Sequence, residues 1–105
     1  MKLFSILLTV LLVGLFVLPG ASQQHSYRPK NGFVPDEKTA IHVAEAVLTA
    51  IYGQKQVKSE EPLSAKLRNG VWTVEGTIAE GVEGGVAIIK ISKANGTIIS
   101  VTHGM

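Results

Sequence analysis

The side chains able to do chemistry lie far apart along the chain. Three histidines, His25, His42 and His103, are the natural candidates for metal ligation or proton transfer. One falls in a polar stretch, one on a helical segment and one in the last strand, so no two share ligand spacing. The chain also has no cysteine to complete a zinc site. His103 stands out because it falls at the end of the core face, where the plain structural alternative is a terminal residue half covered by the sheet edge. Glu75, Glu80 and Glu83 would suit acid–base work only as a pair held at a fixed separation. The pattern instead puts Glu75 on a wet sheet face and the other two in a glycine-rich connection. Ser59, Ser64, Ser92 and Ser100 have no nucleophile-elbow context. The run Gly81-Val82-Glu83-Gly84-Gly85 leads into a strand, not a helix, and no Gly-Lys-Ser/Thr follows it, so it does not read as a phosphate loop. Its expected use is conformational: Gly84-Gly85 lets a partner, or the protein's own helix, approach the backbone closely. These residues therefore carry no catalytic or metal-binding motif, and no cofactor is expected.

Local periodicity and turn chemistry predict the elements that carry these residues. Asp36 can cap a helix and Glu37 suits its first turn. From there Ala40, Ile41, Ala44, Val47, Leu48 and Ile51 recur at spacings of three and four, with Gly53 as terminator. Such a helix needs a surface to lie on, because alone in water it is marginal. The surface is predicted by two hairpins. Leu63 to Arg68 and Val71 to Ile78 flank Asn69-Gly70, a two-residue turn signal that sets Leu67 opposite Trp72, Ala65 opposite Val74 and Leu63 opposite Gly76. Ser64, Lys66, Thr73, Glu75 and Thr77 then share the other face, giving one dry side and one wet side. Val86 to Lys93 and Thr97 to His103 flank Ala94-Asn95-Gly96. A three-residue loop here pairs Ile91 with Ile99, Ile89 with Val101 and Ala87 with His103, and keeps the apolar residues together. Its outer face holds Val86, Ile88, Lys90, Ile98, Ser100 and Thr102, more apolar than solvent alone would select. Trp72 is expected in the core beneath the helix.

At 105 residues with a net charge of +2, the chain has room for one domain and no charge bias toward nucleic acid or an anionic membrane. Met1-Lys2, an apolar run from Leu3 to Leu18 and the small residues of Pro19-Gly20-Ala21-Ser22 have the form of a signal peptide over residues 1–22. Cleavage is expected after Ser22, with Ala21 the other candidate and an uncleaved anchor the rival reading; the run is short of the roughly 20 residues that span a bilayer. The expected organisation is then a polar tether over residues 23–34, with Phe33 and Val34 latching onto a domain of residues 35–105. Without disulfides that domain must rely on its core.

Several stretches, taken in order, resemble the NTF2-fold immunity proteins of bacterial polymorphic toxin systems. They are Thr39-Ala40-Ile41 with Ala44-Glu45-Ala46, Ile51-Tyr52-Gly53, Pro62, Val71-Trp72-Thr73-Val74-Glu75-Gly76-Thr77, Gly84-Gly85-Val86-Ala87, Ile91-Ser92-Lys93 with Asn95-Gly96, and His103-Gly104. The resemblance implies an α+β domain, one amphipathic helix packed on a curved four-stranded antiparallel sheet, a short NTF2-like or cystatin-like form. It also implies a non-catalytic role, binding and neutralising a cognate toxin or hydrolase. The chain departs from a full NTF2 cone in having one expected helix and four expected strands. Residues that the registers push outward or into the loop are the expected contacts: Glu75, Glu80, Glu83, Gly84, Gly85, Ile88, Lys90 and Ile98. His103 is a further functional candidate. The expected site of action is outside the cytoplasm, in the periplasm or beyond it. A second reading is an envelope module for a small ligand or peptide, similar to exported helix-on-sheet peptidase inhibitors. A third is a hydrolase or isomerase, which would need a buried carboxylate or histidine in a pocket.

Overall fold

The computed structural model describes residues 24–104, so the expected signal peptide over residues 1–22 lies outside the described residues. The main helix α1 spans Glu37–Tyr52. Its cap is Asp36, whose carboxylate accepts from the Thr39 amide at 2.8 Å and from the Thr39 hydroxyl at 2.7 Å. Those two bonds, the hydroxyl first, hold the Asp36 carboxyl below its usual range. Ala40, Ala44 and Leu48 form the buried stripe of α1, with Ile41 and Val47 partly buried at its sides. Ile51, expected on the same stripe, is 54 % exposed.

The domain holds one helix more than expected. Gly53, at φ 89°, breaks the helical path, and a short helix α2 follows over Gln54–Ser59, anchored by buried Val57. One buried anchor in a six-residue segment carries no readable period.

Four strands follow, β1 Ser64–Arg68, β2 Val71–Glu75, β3 Ala87–Ser92 and β4 Ile98–His103. They form an antiparallel sheet in sequence order. The first hairpin has the expected register, Leu67 with Trp72 and Ala65 with Val74, around Asn69 and Gly70 at φ 50° and 74°. Helix α1 packs across β1, β2 and β3. Beneath it lie Trp72, Val74, Ala87, Ile89 and Ile91, all buried. Leu67 shares that face but sits on the edge strand and stays 45 % exposed.

The second hairpin differs from expectation near its turn. Ile89 pairs with Val101 and Ala87 with His103, as the three-residue loop required, but Ile91 pairs with Ile98 instead of Ile99. The cause is Lys93. Its amide donates to the Gly70 carbonyl at 2.9 Å and its carbonyl accepts from the Val34 amide at 3.0 Å, so it is withdrawn from the hairpin. The Ser92 amide instead bonds the Thr97 carbonyl at 2.9 Å, and an irregularity beside Lys90 and Ile91 absorbs the extra residue. Ile98 thus shares the register of a core-facing residue, a correction to its expected place on the outer face. Ile99, expected in the core, is 51 % exposed.

Phe33 donates to the Ala94 carbonyl at 3.0 Å beside the Val34 bond. Val34 is buried while Phe33 is 54 % exposed, so only one of the two apolar residues enters the core. The Trp72 indole N–H donates to the Val34 carbonyl at 2.8 Å and fixes this segment against the sheet.

Candidate functional site

Where α2 ends and the chain turns toward β1, Glu60 is the one buried charged residue among the described residues, 6 % exposed. Its backbone carbonyl accepts from the Thr77 amide at 2.7 Å, which ties the α2 end to the chain leaving β2. Its carboxylate then lies beneath the first residue of β3. Oε1 accepts from the Ala87 amide at 2.6 Å, and Oε2 accepts from Gln56 Nε2 at 2.9 Å and from His103 Nε2 at 3.1 Å. Gly76 makes this seat available, because a Cβ there would stand 2.8 Å from both Cβ and Oε1 of Glu60. A buried carboxylate is costly unless donors surround it, and three do. Burial pushes its pKa up, but the bonds from Gln56, Ala87 and His103 outweigh that and bring the group below its ordinary range.

His103 completes the arrangement at the end of β4. Its Nδ1 lies 2.8 Å from the Gly104 carbonyl, and its ring meets Tyr52 of α1 with centroids 5.2 Å apart. The side chain is 28 % exposed. The Gly104 carbonyl and then Glu60 hold its pKa above the ordinary histidine value, against a smaller opposing effect of burial. The Gly104 carbonyl and Glu60 thus engage both ring nitrogens, so neither is left free to meet a substrate.

Beside this pair opens a cleft of about 300 Å³ between the end of α2 and the connection from β2 to β3. Glu60 and His103 lie at its polar side, and Ile78, Val82 and Val86 supply apolar walls. The backbones of Gly85 and Gly104 are in such close approach that a Cβ on Gly85 would overlap Gly104. That explains the glycine at this position in steric terms.

The expected site residues fall into separate groups. Glu83, Gly84, Gly85 and His103 line the cleft. Glu80 is exposed on the same connection. Glu75 pairs with Ile88, and Lys90 with Thr73, on the sheet face away from the helix, while Ile98 sits at the irregular start of β4. Glu60 and Gln56 were not singled out by sequence reasoning. Lys58-Ser59-Glu60-Glu61 reads as a solvated charge run, and the available hint was the four-residue spacing from Gln56 to Glu60. Among the described residues no group of three or more His, Cys, Asp or Glu could hold a metal ion, and no helix is long and apolar enough to cross a membrane.

A helix on one face of an antiparallel sheet, with a small cleft at the sheet end, defines an α+β domain. The chain belongs to the NTF2 fold immunity protein family, whose model matches residues 39–105. Two proteins of Escherichia coli K12 are similar to it. The uncharacterized protein YhhH is 36 % identical over 72 residues, covering 68 % of this chain and 57 % of that protein. The uncharacterized protein YbbC is 36 % identical over 78 residues, covering 73 % of this chain and 63 % of that protein. The chain thus spans about three fifths of the length of these relatives. No solved structure matches the chain.

Proposed function

We propose that the protein is an exported immunity-type inhibitor that binds a cognate toxin or hydrolase and blocks it without catalysis. The observation that carries this reading is the connection from β2 to β3. It is exposed around Glu80, Val82 and Glu83, with Val82 57 % and Ile78 41 % exposed, and it borders the cleft. Exposed apolar residues flanked by carboxylates have the make-up of a contact patch with a polar rim. Family membership supports the neutralising role, and the apolar leader ending near Ser22 supports export. Glu75, Ile88 and Lys90 on the open sheet face are the secondary contact candidates.

The test uses tagged residues 23–105 as bait in the native host's envelope fraction, with mass spectrometry of what survives a salt wash. A stoichiometric toxin or hydrolase is expected, and the double variant Glu80→Lys and Glu83→Lys should bind it at least about tenfold more weakly. Retention of no protein would sink the inhibitor reading. The cleft favours one second reading, a module for a small ligand or peptide, and that reading would then lead.

A further inference from the structure

The Glu60–His103 arrangement implies a property independent of what binds in the cleft. A carbonyl and a carboxylate only accept hydrogen bonds, yet both face the same imidazole, Gly104 oxygen at Nδ1 and Glu60 Oε2 at Nε2. A neutral imidazole carries one N–H, so only the imidazolium satisfies both. The proton belongs on the ring, because two other donors, Gln56 Nε2 and the Ala87 amide, converge on the carboxylate and favour its ionised form.

We propose that His103 is a pH-operated latch: as an imidazolium it ties the end of β4 to Glu60 and closes one side of the cleft, and on losing its proton it lets go. The latch joins elements distant in sequence. Glu60 follows α2, its Oε1 holds the first amide of β3, and Gly104 donates to the Val86 carbonyl at 3.2 Å beside it. The neutral ring must turn a lone pair toward either the carboxylate or the carbonyl, and one of the two contacts becomes repulsive. Among the described residues, three titratable groups lie around the ring. Tyr52 of α1 meets its face, Glu60 its Nε2, and Glu83 lies across the cleft; no Lys or Arg lines the cleft to displace the imidazolium.

The direction of the pH effect follows from the two shifts. The His103 pKa is raised from 6.5, so its contribution is complete below about 6.5 and disappears as pH rises through the folded-state value. The Glu60 pKa is lowered from 4.5, so its contribution is present above about 4.5 and is lost as pH falls through its own folded-state value. The latch is strongest in mildly acidic solution and opens on the alkaline side.

The experiment is a nitrogen-15 imidazole titration of the intact chain, with His103 resolved from His25 and His42, alongside amide hydrogen exchange corrected for its intrinsic pH dependence. His103 should show both nitrogens protonated at pH 6.5, with its midpoint above that value. Protection of the Ala87 and Gly104 amides should fall roughly tenfold or more as it titrates, the scale of one charge-assisted hydrogen bond. Glu60→Gln should bring the His103 midpoint down. His103→Gln keeps one donor without the charge and should make protection independent of pH over the range in which the wild-type ring titrates, leaving only the Glu60 transition at acid pH. Because the ring is partly exposed, that variant remains folded and decides the matter even if Glu60→Gln does not fold. A midpoint at or below 6.5, or exchange in His103→Gln that keeps the original pH dependence, overturns the latch.

Discussion

The two ends of the sheet hold the chain by different chemistry. At the turn end, Val34 is pinned by the Lys93 carbonyl and the Trp72 indole, neutral groups that stay bonded at any ordinary pH. At the opposite end, β4 is pinned by Glu60 and His103, both titratable. The turn end buries Val34 and Trp72 and excludes water, whereas the Glu60 end borders an open cleft. One end is built for permanence and the other for response. A neutral hydrogen bond under an aromatic ring gains nothing from solvent access, whereas an ion pair needs contact with solvent to exchange its proton.

Breaking the permanent end should have the largest effect. Trp72→Ala removes a buried aromatic and should cost about 3–5 kcal/mol in urea unfolding, equally at pH 5.5 and pH 8. A milder loss would remove Trp72 from the core. Glu60→Ala should cost less, about 1–3 kcal/mol at pH 5.5, because it strands the buried Ala87 amide and the imidazolium. It should also flatten the pH dependence, so that the wild type exceeds it by more at pH 5.5 than at pH 8. An equal difference at both values would make the two ends alike. Trp72→Phe keeps a six-membered aromatic ring but deletes the indole donor to Val34 and leaves a small cavity, so a loss of about 2 kcal/mol without pH dependence is expected. The smallest effect on stability belongs to Glu80→Lys with Glu83→Lys, exposed changes that should leave the unfolding midpoint within about 0.5 kcal/mol while weakening partner binding.

Much of the fold was legible because its signals are local. Asp36 before a stripe at spacings of three and four marks a helix start whatever lies beyond it. Asn69-Gly70 tolerates the positive φ of a tight hairpin turn, and that single turn determined the faces of β1 and β2. The pairing of Ala87 with His103 was also readable, and it pointed to the sheet end where the cleft lies. The register near Ile91 was not, because the backbone of Lys93 is claimed by Gly70 and Val34, distant in sequence. A turn rule counts loop residues but does not register a carbonyl recruited from outside the hairpin.

The sequence by itself determined the helix, the four strands, the dry face centred on Trp72, Val74 and Ile89, and the clustering of Glu80, Glu83, Gly84 and Gly85 in one connection. Period and turn chemistry act within a few residues, so they survive without the fold. Only the tertiary structure decided that Glu60 is buried while its neighbour Glu61 is exposed, and that His103 meets Glu60. Both follow from where the chain leaves α2 relative to the first amide of β3. A carboxylate becomes a structural group only when donors from separate segments converge on it, and that convergence is a property of packing.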